Sequence, residues 1–177
     1  MRSSWQSTRR IGLAVACLAM IGVGFWLAQE RCYVLRLCDA EGREVFSTEL
    51  PCGVEFGIRF THSVALSPVE EWFVAKDGKI ALTRTVYQDF GAGLPHEPGP
   101  GQHMTVRDGY VEITGFTLLL SHMDVRVGRV AGHELLLPQA GRKNAYKVLP
   151  LSAWAPPGAA LTFSLSKAPL WGWRNSS

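Results

Sequence analysis

The sequence predicts an all-β domain, a small antiparallel sandwich or barrel of about eight to ten strands, preceded by one N-terminal transmembrane helix. Three observations lead there. Beyond residue 31, apolar and polar residues alternate in short runs, and no run keeps a helical period. Two joints between such runs are Asp77-Gly78 and Asp108-Gly109, two-residue links of the kind that close β-hairpins. Ahead of these, residues 11–27 carry no charge at all.

That apolar run comes first in the chain. Arg2, Arg9 and Arg10 precede it with no acidic residue among them, so the positive-inside rule keeps Met1 in the cytoplasm and exports the chain beyond the run. At helical rise the run covers roughly 25 Å, a little under the ~30 Å of a hydrocarbon core, and Trp5 and Trp26 suit the interfaces. A cleaved leader is the alternative. Phe25-Trp26-Leu27 offers no small-residue cleavage site, and too few apolar residues separate Arg10 from Cys17 for Ala14-Val15-Ala16-Cys17 to act as a lipoprotein box. Thr8-Arg9-Arg10-Ile11 resembles a twin-arginine signal, which Gly12 weakens. The expected organisation is a basic cytoplasmic segment over 1–10, a signal anchor over 11–29, an exported domain over 31–166 and a tail over 167–177. This describes a single-pass inner-membrane protein with its C-terminal domain in the periplasm or outside the cell. A net charge of +3 without a Lys/Arg block argues against nucleic acid as a partner.

Within the domain, strands are expected at 33–37 and 45–49, around a turn containing Asp39-Ala40-Glu41-Gly42. Residues 54–64 form a long alternating run with Val54, Phe56, Ile58 and Phe60 on one face. Further strands are expected at 116–120, 124–130, 134–137, 147–149 and 160–166, and the Pro/Gly-rich stretch 94–102 reads as a rim loop. The exported part carries Cys32, Cys38 and Cys52, enough for one disulfide and a spare thiol. Cys38 and Cys52 flank the first hairpin and its exit, which makes them one candidate pair; three reduced, buried thiols are the other reading. None has C-x-x-C spacing, which leaves little basis for a redox or zinc role.

The chemistry-bearing residues concentrate between Phe60 and Trp72. A two-residue turn at Asp77-Gly78 places Lys76 opposite Lys79, Ala75 opposite Ile80 and Phe73 opposite Leu82. Carried on, the same register sets Glu71 against Arg84 and Val69 against Val86. Glu70 and Glu71 then face opposite sides of the sheet, so they do not form a paired-carboxylate site. His62 extends the row Phe56, Ile58, Phe60 and can hydrogen-bond a carboxylate such as Glu71. Ser63 points away from His62, which breaks a Ser–His dyad, and no G-x-S-x-G elbow occurs. The Gly91-Ala92-Gly93 turn can offer N–H groups to an anion or simply supply positive φ. The five histidines lack H-x-H or H-E-x-x-H spacing, with His122-Met123-Asp124 the one weak metal pairing, so neither metal nor cofactor is expected.

Taken together, His62-Ser63-Val64, Pro68-Val69 with Glu71, and Gly91-Ala92-Gly93 resemble the domain-of-unknown-function family eighteen-fifty over approximately 31–166. Residues 123–128 fit that family's L-x-V-x-V-G-like run loosely. Many of its members have a glutamate directly after the valine, where this chain has Ala65, so the carried-over positions are His62, Ser63 and Glu71. The resemblance implies a small exported domain encoded beside, or fused to, membrane subunits of TRAP-type transporters of the TAXI class, which import small solutes such as carboxylates. The expected function is a membrane-anchored periplasmic accessory or binding module, not an enzyme. Its expected partners are the membrane, through the N-terminal helix, and TRAP transporter subunits or their solute receptor. The expected contact residues are His62, Ser63, Glu71, Arg84, Gly91, Ala92 and Gly93. The alternative is a periplasmic enzyme, or a metal- or ligand-binding domain, using His62 and Glu71.

Overall fold

A computed structural model of the protein describes residues 33–88, 94–139, 142 and 145–168. The expected anchor and the Gly91-Ala92-Gly93 turn lie outside them. The described residues form β1 (Tyr33–Cys38), β2 (Glu44–Leu50), β3 (Phe56–Thr61), β4 (Pro68–Lys76), β5 (Lys79–Tyr87) and β6 (His103–Arg107). Next come β7 (Tyr110–Thr114), β8 (Leu119–Leu120), β9 (His122–Arg126), β10 (Glu134–Pro138), β11 (Tyr146–Pro150) and β12 (Ala160–Lys167), with a 3₁₀ turn at Leu151–Ala153. Among the described residues no helix is long and apolar enough to cross a membrane.

Strands form where alternation lets one face leave water. In β1, Leu35 and Leu37 are buried while Arg36 between them is exposed; in β12, Leu161 and Phe163 are buried. Both Asp-Gly links make the turns their chemistry favours. Asp77 and Gly78 have φ of 52° and 75°, and Asp108 and Gly109 have 53° and 80°. Two successive positive φ values give the type I′ twist that matches flanking strands.

The strands assemble into two antiparallel sheets, ordered β2-β1-β12-β9 and β11-β10-β3-β4-β5-β7-β6, with β8 alongside β5. Leu35, Leu37, Leu161 and Phe163 from the smaller sheet share one core with Phe56, Ile58, Phe73, Ile80, Leu135 and Leu137 from the larger. The Phe56 and Phe73 rings stack there, 5.6 Å apart. A second buried cluster, Val69, Tyr87, Val111 and Ile113, belongs to the larger sheet alone and is closed by Phe60, Leu94, Met104 and Phe116. Among the described residues β2, β9, β11 and β6 have open outer edges. Residues 46–50 and Leu137, Lys147 and Leu149 border a cleft of about 640 Å³ at the β2 and β11 edges.

The expected strands are shortened where side chains or backbone find other partners. The run 54–64 yields only Phe56–Thr61, because His62 starts a closed loop. The run 116–120 yields only Leu119–Leu120, since Phe116 packs over the second cluster. The run 124–130 becomes His122–Arg126, with Gly128 turned toward His133.

The register of β4 on β5 holds from Lys76↔Lys79 to Phe73↔Leu82 and then shifts by one residue. Thr83 is the extra residue, so Trp72 faces Arg84, Glu71 faces Thr85 and Val69 faces Tyr87. The expected Glu71–Arg84 pair therefore does not exist. Thr83 holds the bulge through its hydroxyl, which lies 2.5 Å from Glu55 Oε1 and 3.0 Å from the Trp72 carbonyl. A Cys38–Cys52 disulfide is also excluded. Cys38 pairs with Glu44 at one end of the first hairpin, whereas Cys52 lies beyond Leu50, which faces Tyr33 at the other. At strand rise the two are at least about 17 Å apart, far outside disulfide reach.

Candidate functional site: the loop end of the larger sheet

β3 ends at Thr61 and β4 begins at Pro68, and residues 62–67 between them close on themselves. His62 N–H donates to the Ser67 carbonyl and Leu66 N–H to the His62 carbonyl, each at 2.9 Å. The His62 ring works inside the loop: its Nδ1 accepts from Ala65 N–H at 3.1 Å and from Val64 N–H at 3.4 Å. An imidazole nitrogen that accepts must be unprotonated, so the neutral ring is the form that holds the loop. Thr61 N–H donates to the Ala131 carbonyl at 2.7 Å, tying in the loop that follows β9.

This bracing carries an unusual display. Leu66 has φ of 52°, a left-handed conformation that costs a β-carbon residue about 1–2 kcal/mol. Val64 and Leu66 are 66% and 70% exposed, and Val130 on the tied loop is 72% exposed. The loop thus combines a left-handed Leu66 with exposed aliphatic side chains. Ser63 is exposed, while the Ser67 hydroxyl is buried and has no hydrogen-bond partner among the described residues. Behind the loops, His133 stacks on Phe60 at 5.2 Å and accepts from Gly128 N–H at 3.1 Å. Burial holds its pKa below the ordinary histidine value.

Glu71 occupies the inner face. It lies opposite Ile58 on β3 and Thr85 on β5, and its same-face neighbours along β4 are Val69 and Phe73, at 1% and 2% exposure. Among the described residues it makes no hydrogen bond or ion pair, and burial raises its pKa above the usual carboxylate range. His62 does not reach it, because its Nδ1 is committed to the loop backbone.

Arg84 sits on the outer face instead. Its Nε and Nη2 donate to Glu55 Oε2 at 3.2 and 3.1 Å, and Nη1 lies 3.5 Å from Glu112 Oε1. The guanidinium carbon stands 4.4 Å from the Trp72 ring centroid, a cation–π contact. Trp72 is itself buried on this face, donating Nε1–H to Glu70 at 3.1 Å and lying against Tyr146 and the bare backbone of Gly57. Arg59 extends the row, 2.7 Å from Glu134 and 4.0 Å from Glu70. A shallow pocket of about 330 Å³ opens beside it, lined by Arg84, Val86, Thr105, Arg107, Tyr110 and Glu112.

The expected site residues thus fall into separate places. His62 and Ser63 belong to the loop, Glu71 to the inner face, Arg84 to the outer face, and Gly91, Ala92 and Gly93 lie outside the described residues. The opposite orientation of Glu70 and Glu71 is as expected. Among the described residues no group of three or more His, Cys, Asp or Glu is placed to hold a metal ion.

Residues 56–143, from β3 through the stretch after β10, match the model of a family described as a domain of unknown function, DUF1850. The chain belongs to that family. The matched part of the DUF1850 domain contains the closed loop, Glu71, the bulge at Thr83 and Arg84. No curated protein and no solved structure matches the chain. Sequence reasoning missed Trp72 and Glu55 as partners of Arg84, and Tyr87, whose hydroxyl donates to the Pro95 carbonyl and secures the start of the rim loop. The missing signal was the bulge, since it turns Arg84 to the outer face with Trp72 and Tyr87 to the inner face with Val69.

Proposed function

We propose that this DUF1850 protein is a membrane-anchored periplasmic binding module, an accessory to a TRAP-type solute transporter that it contacts through the closed loop of residues 62–67. One observation carries the reading: a strained, internally hydrogen-bonded loop presents Val64 and Leu66 to solvent. Leu66 closes the loop through its N–H to the His62 carbonyl while its side chain stays in water, and a partner surface would bury Val64 and Leu66 without first having to order them. The loop also stands clear of the chain's entry. Gly78 N–H donates to the Tyr33 hydroxyl, so β1 starts beside the Asp77-Gly78 turn, and β4 separates that turn from the loop by about 30 Å.

The test is affinity purification of the full chain from native membranes in mild detergent, beside the double variant Val64→Asp/Leu66→Asp. Burying two such side chains contributes about 1.5–3 kcal/mol each, so transporter subunits should co-elute with the wild type and be depleted at least a hundredfold with the variant. Unchanged Tm would show that the variant is folded. Recovery of the wild-type protein alone would sink the proposal.

A second reading, ligand binding at Glu71, is favoured by its unpartnered inner-face carboxylate. Loss of solute uptake in Glu71→Gln with co-elution intact would select it.

A further inference from the structure

We infer that the outer-face pocket beside Arg84 binds a small zwitterion of the α-amino acid class, held between Glu112 and Arg107. The register of β5, β7 and β6 assembles the site. Val86, Glu112 and Thr105 lie side by side on these strands, and Tyr110 and Arg107 form the next row toward the Asp108-Gly109 turn. Opposed residues share a face of the sheet, and residues two apart along a strand return to it. Arg84, two residues before Val86, therefore closes one end of the pocket and the Arg107–Tyr110 pair closes the other. The space between them is about 330 Å³, at the small end of the roughly 300–1,000 Å³ typical of small-molecule sites.

The charges decide what fits. Arg84 is already matched, since Nε and Nη2 donate to Glu55 and the guanidinium rests on the Trp72 ring. Its remaining nitrogen, Nη1, holds the Glu112 carboxylate at 3.5 Å. Arg107 stands diagonally across from Glu112, with Cα atoms roughly 7–8 Å apart, a gap that two long side chains can bridge. The two nevertheless form no ion pair, and Arg107 has no hydrogen-bond or charge partner among the described residues. Glu112 is thus kept at the Arg84 end, and an uncommitted guanidinium faces it across the pocket.

A plain anion drawn to Arg107 would meet the Glu112 carboxylate. A plain amine drawn to Glu112 would meet Arg84 and Arg107. A zwitterion matches both ends and adds no net charge. Its carboxylate accepts from Arg107 and from the Tyr110 hydroxyl, and its ammonium donates to Glu112. The Thr105 hydroxyl between them can donate or accept. Val86 and the Tyr110 ring, which is 44% exposed, give the ligand's own side chain an apolar seat. Arg84 acts here as a positioning residue, because it fixes Glu112 rather than the ligand.

The pocket lies on the opposite face of the sheet from Glu71 and uses no residue of the closed loop, so it goes beyond both readings of the function given above.

The test titrates purified full-length protein in detergent with each standard amino acid, followed by saturation-transfer NMR. For the tightest binder, the deaminated and decarboxylated analogues are the matched probes, isovalerate and isobutylamine in the case of L-valine. The amino acid should bind at least about tenfold more tightly than either analogue, the loss of one charge-assisted hydrogen bond. Arg107→Gln should weaken the amino acid and its carboxylate analogue by at least about tenfold and leave the amine analogue unchanged. Glu112→Gln should do the converse. Unchanged Tm would show that both variants are folded. Absence of saturable binding by every amino acid would overturn the inference, as would an analogue that binds as tightly as the amino acid, or affinity insensitive to both substitutions. Glu71→Gln and Val64→Asp/Leu66→Asp should bind as the wild type does. Loss of binding in Glu71→Gln would move the ligand to the inner face and overturn the assignment, while the co-elution result for the transporter contact is decided separately.

Discussion

Replacing Glu71 with leucine is expected to stabilise the domain. Glu71 faces inward between Val69 and Phe73 and across from Ile58, and those three residues are at most 2% exposed. Its carboxylate has no hydrogen bond or ion pair among the described residues, so the fold bears the loss of its hydration without compensation. A polar group buried this way typically costs about 1–3 kcal/mol, and leucine fills a similar volume without that cost. Glu71→Leu should therefore gain about 1–3 kcal/mol at pH 8, or roughly 3–10 °C in Tm for a domain of this size. The sign with pH comes from the raised pKa. The folded state binds the Glu71 proton more tightly than the unfolded chain does, so the neutral carboxyl is tolerated at low pH. Stability is lost as pH rises through the folded pKa. The leucine advantage should shrink on going from pH 8 to pH 4. Urea unfolding followed by tryptophan fluorescence at both pH values gives the comparison. A variant destabilised by leucine, or one equally affected at both pH values, would mean that Glu71 has compensation and would refute the reasoning.

Gly57→Ala should destabilise by about 1–3 kcal/mol, because a Cβ there meets the Trp72 ring at 3.1 Å; thermal unfolding reads this directly. His62→Ala removes the acceptor for Val64 and Ala65 N–H and should cost about 1–2 kcal/mol. The loss should appear as faster amide exchange confined to 62–67, and protection that stays unchanged would count against the bracing role. For His133, burial depresses the folded pKa, so its stabilising contribution is complete above the ordinary histidine value and is lost as pH falls through the depressed one. His133→Asn should flatten that part of the stability–pH curve. Tyr87→Phe removes the hydroxyl bond to Pro95 and should raise proteolytic cleavage in the rim loop while costing about 1 kcal/mol or more globally.

Much of the fold was legible because period two and turn chemistry are local. The Asp-Gly links placed two hairpins correctly, and alternation found the two faces of β4 and the buried row Phe56 and Ile58 of β3. The failures were non-local. Nothing in the order of residues around Arg84 announces that Thr83 will be looped out, since the bulge depends on Glu55, far away in sequence, and on the carbonyl of Trp72. Counting straight through it sent Arg84 to the wrong partner. His62 was misread for a related reason. Its place in an apolar row suggested a side chain continuing the strand, but a ring that caps its own loop ends the strand instead. The same reading correctly separated Glu70 from Glu71, since opposite faces result from adjacency alone.

The open outer strands bear on how the protein behaves in a tube. An exposed strand edge templates pairing with another chain. Here those edges carry solvent-facing charge: Glu44 and Glu49 on β2, Asp124 and Arg126 on β9, Lys147 on β11 and Arg107 on β6. Mixed signs spread over four edges leave colloidal stability dependent on electrostatics, so concentrated stocks should grow turbid as salt is raised or as Glu44 and Glu49 are neutralised. Shelf life would then be set by ionic strength well before it is set by unfolding.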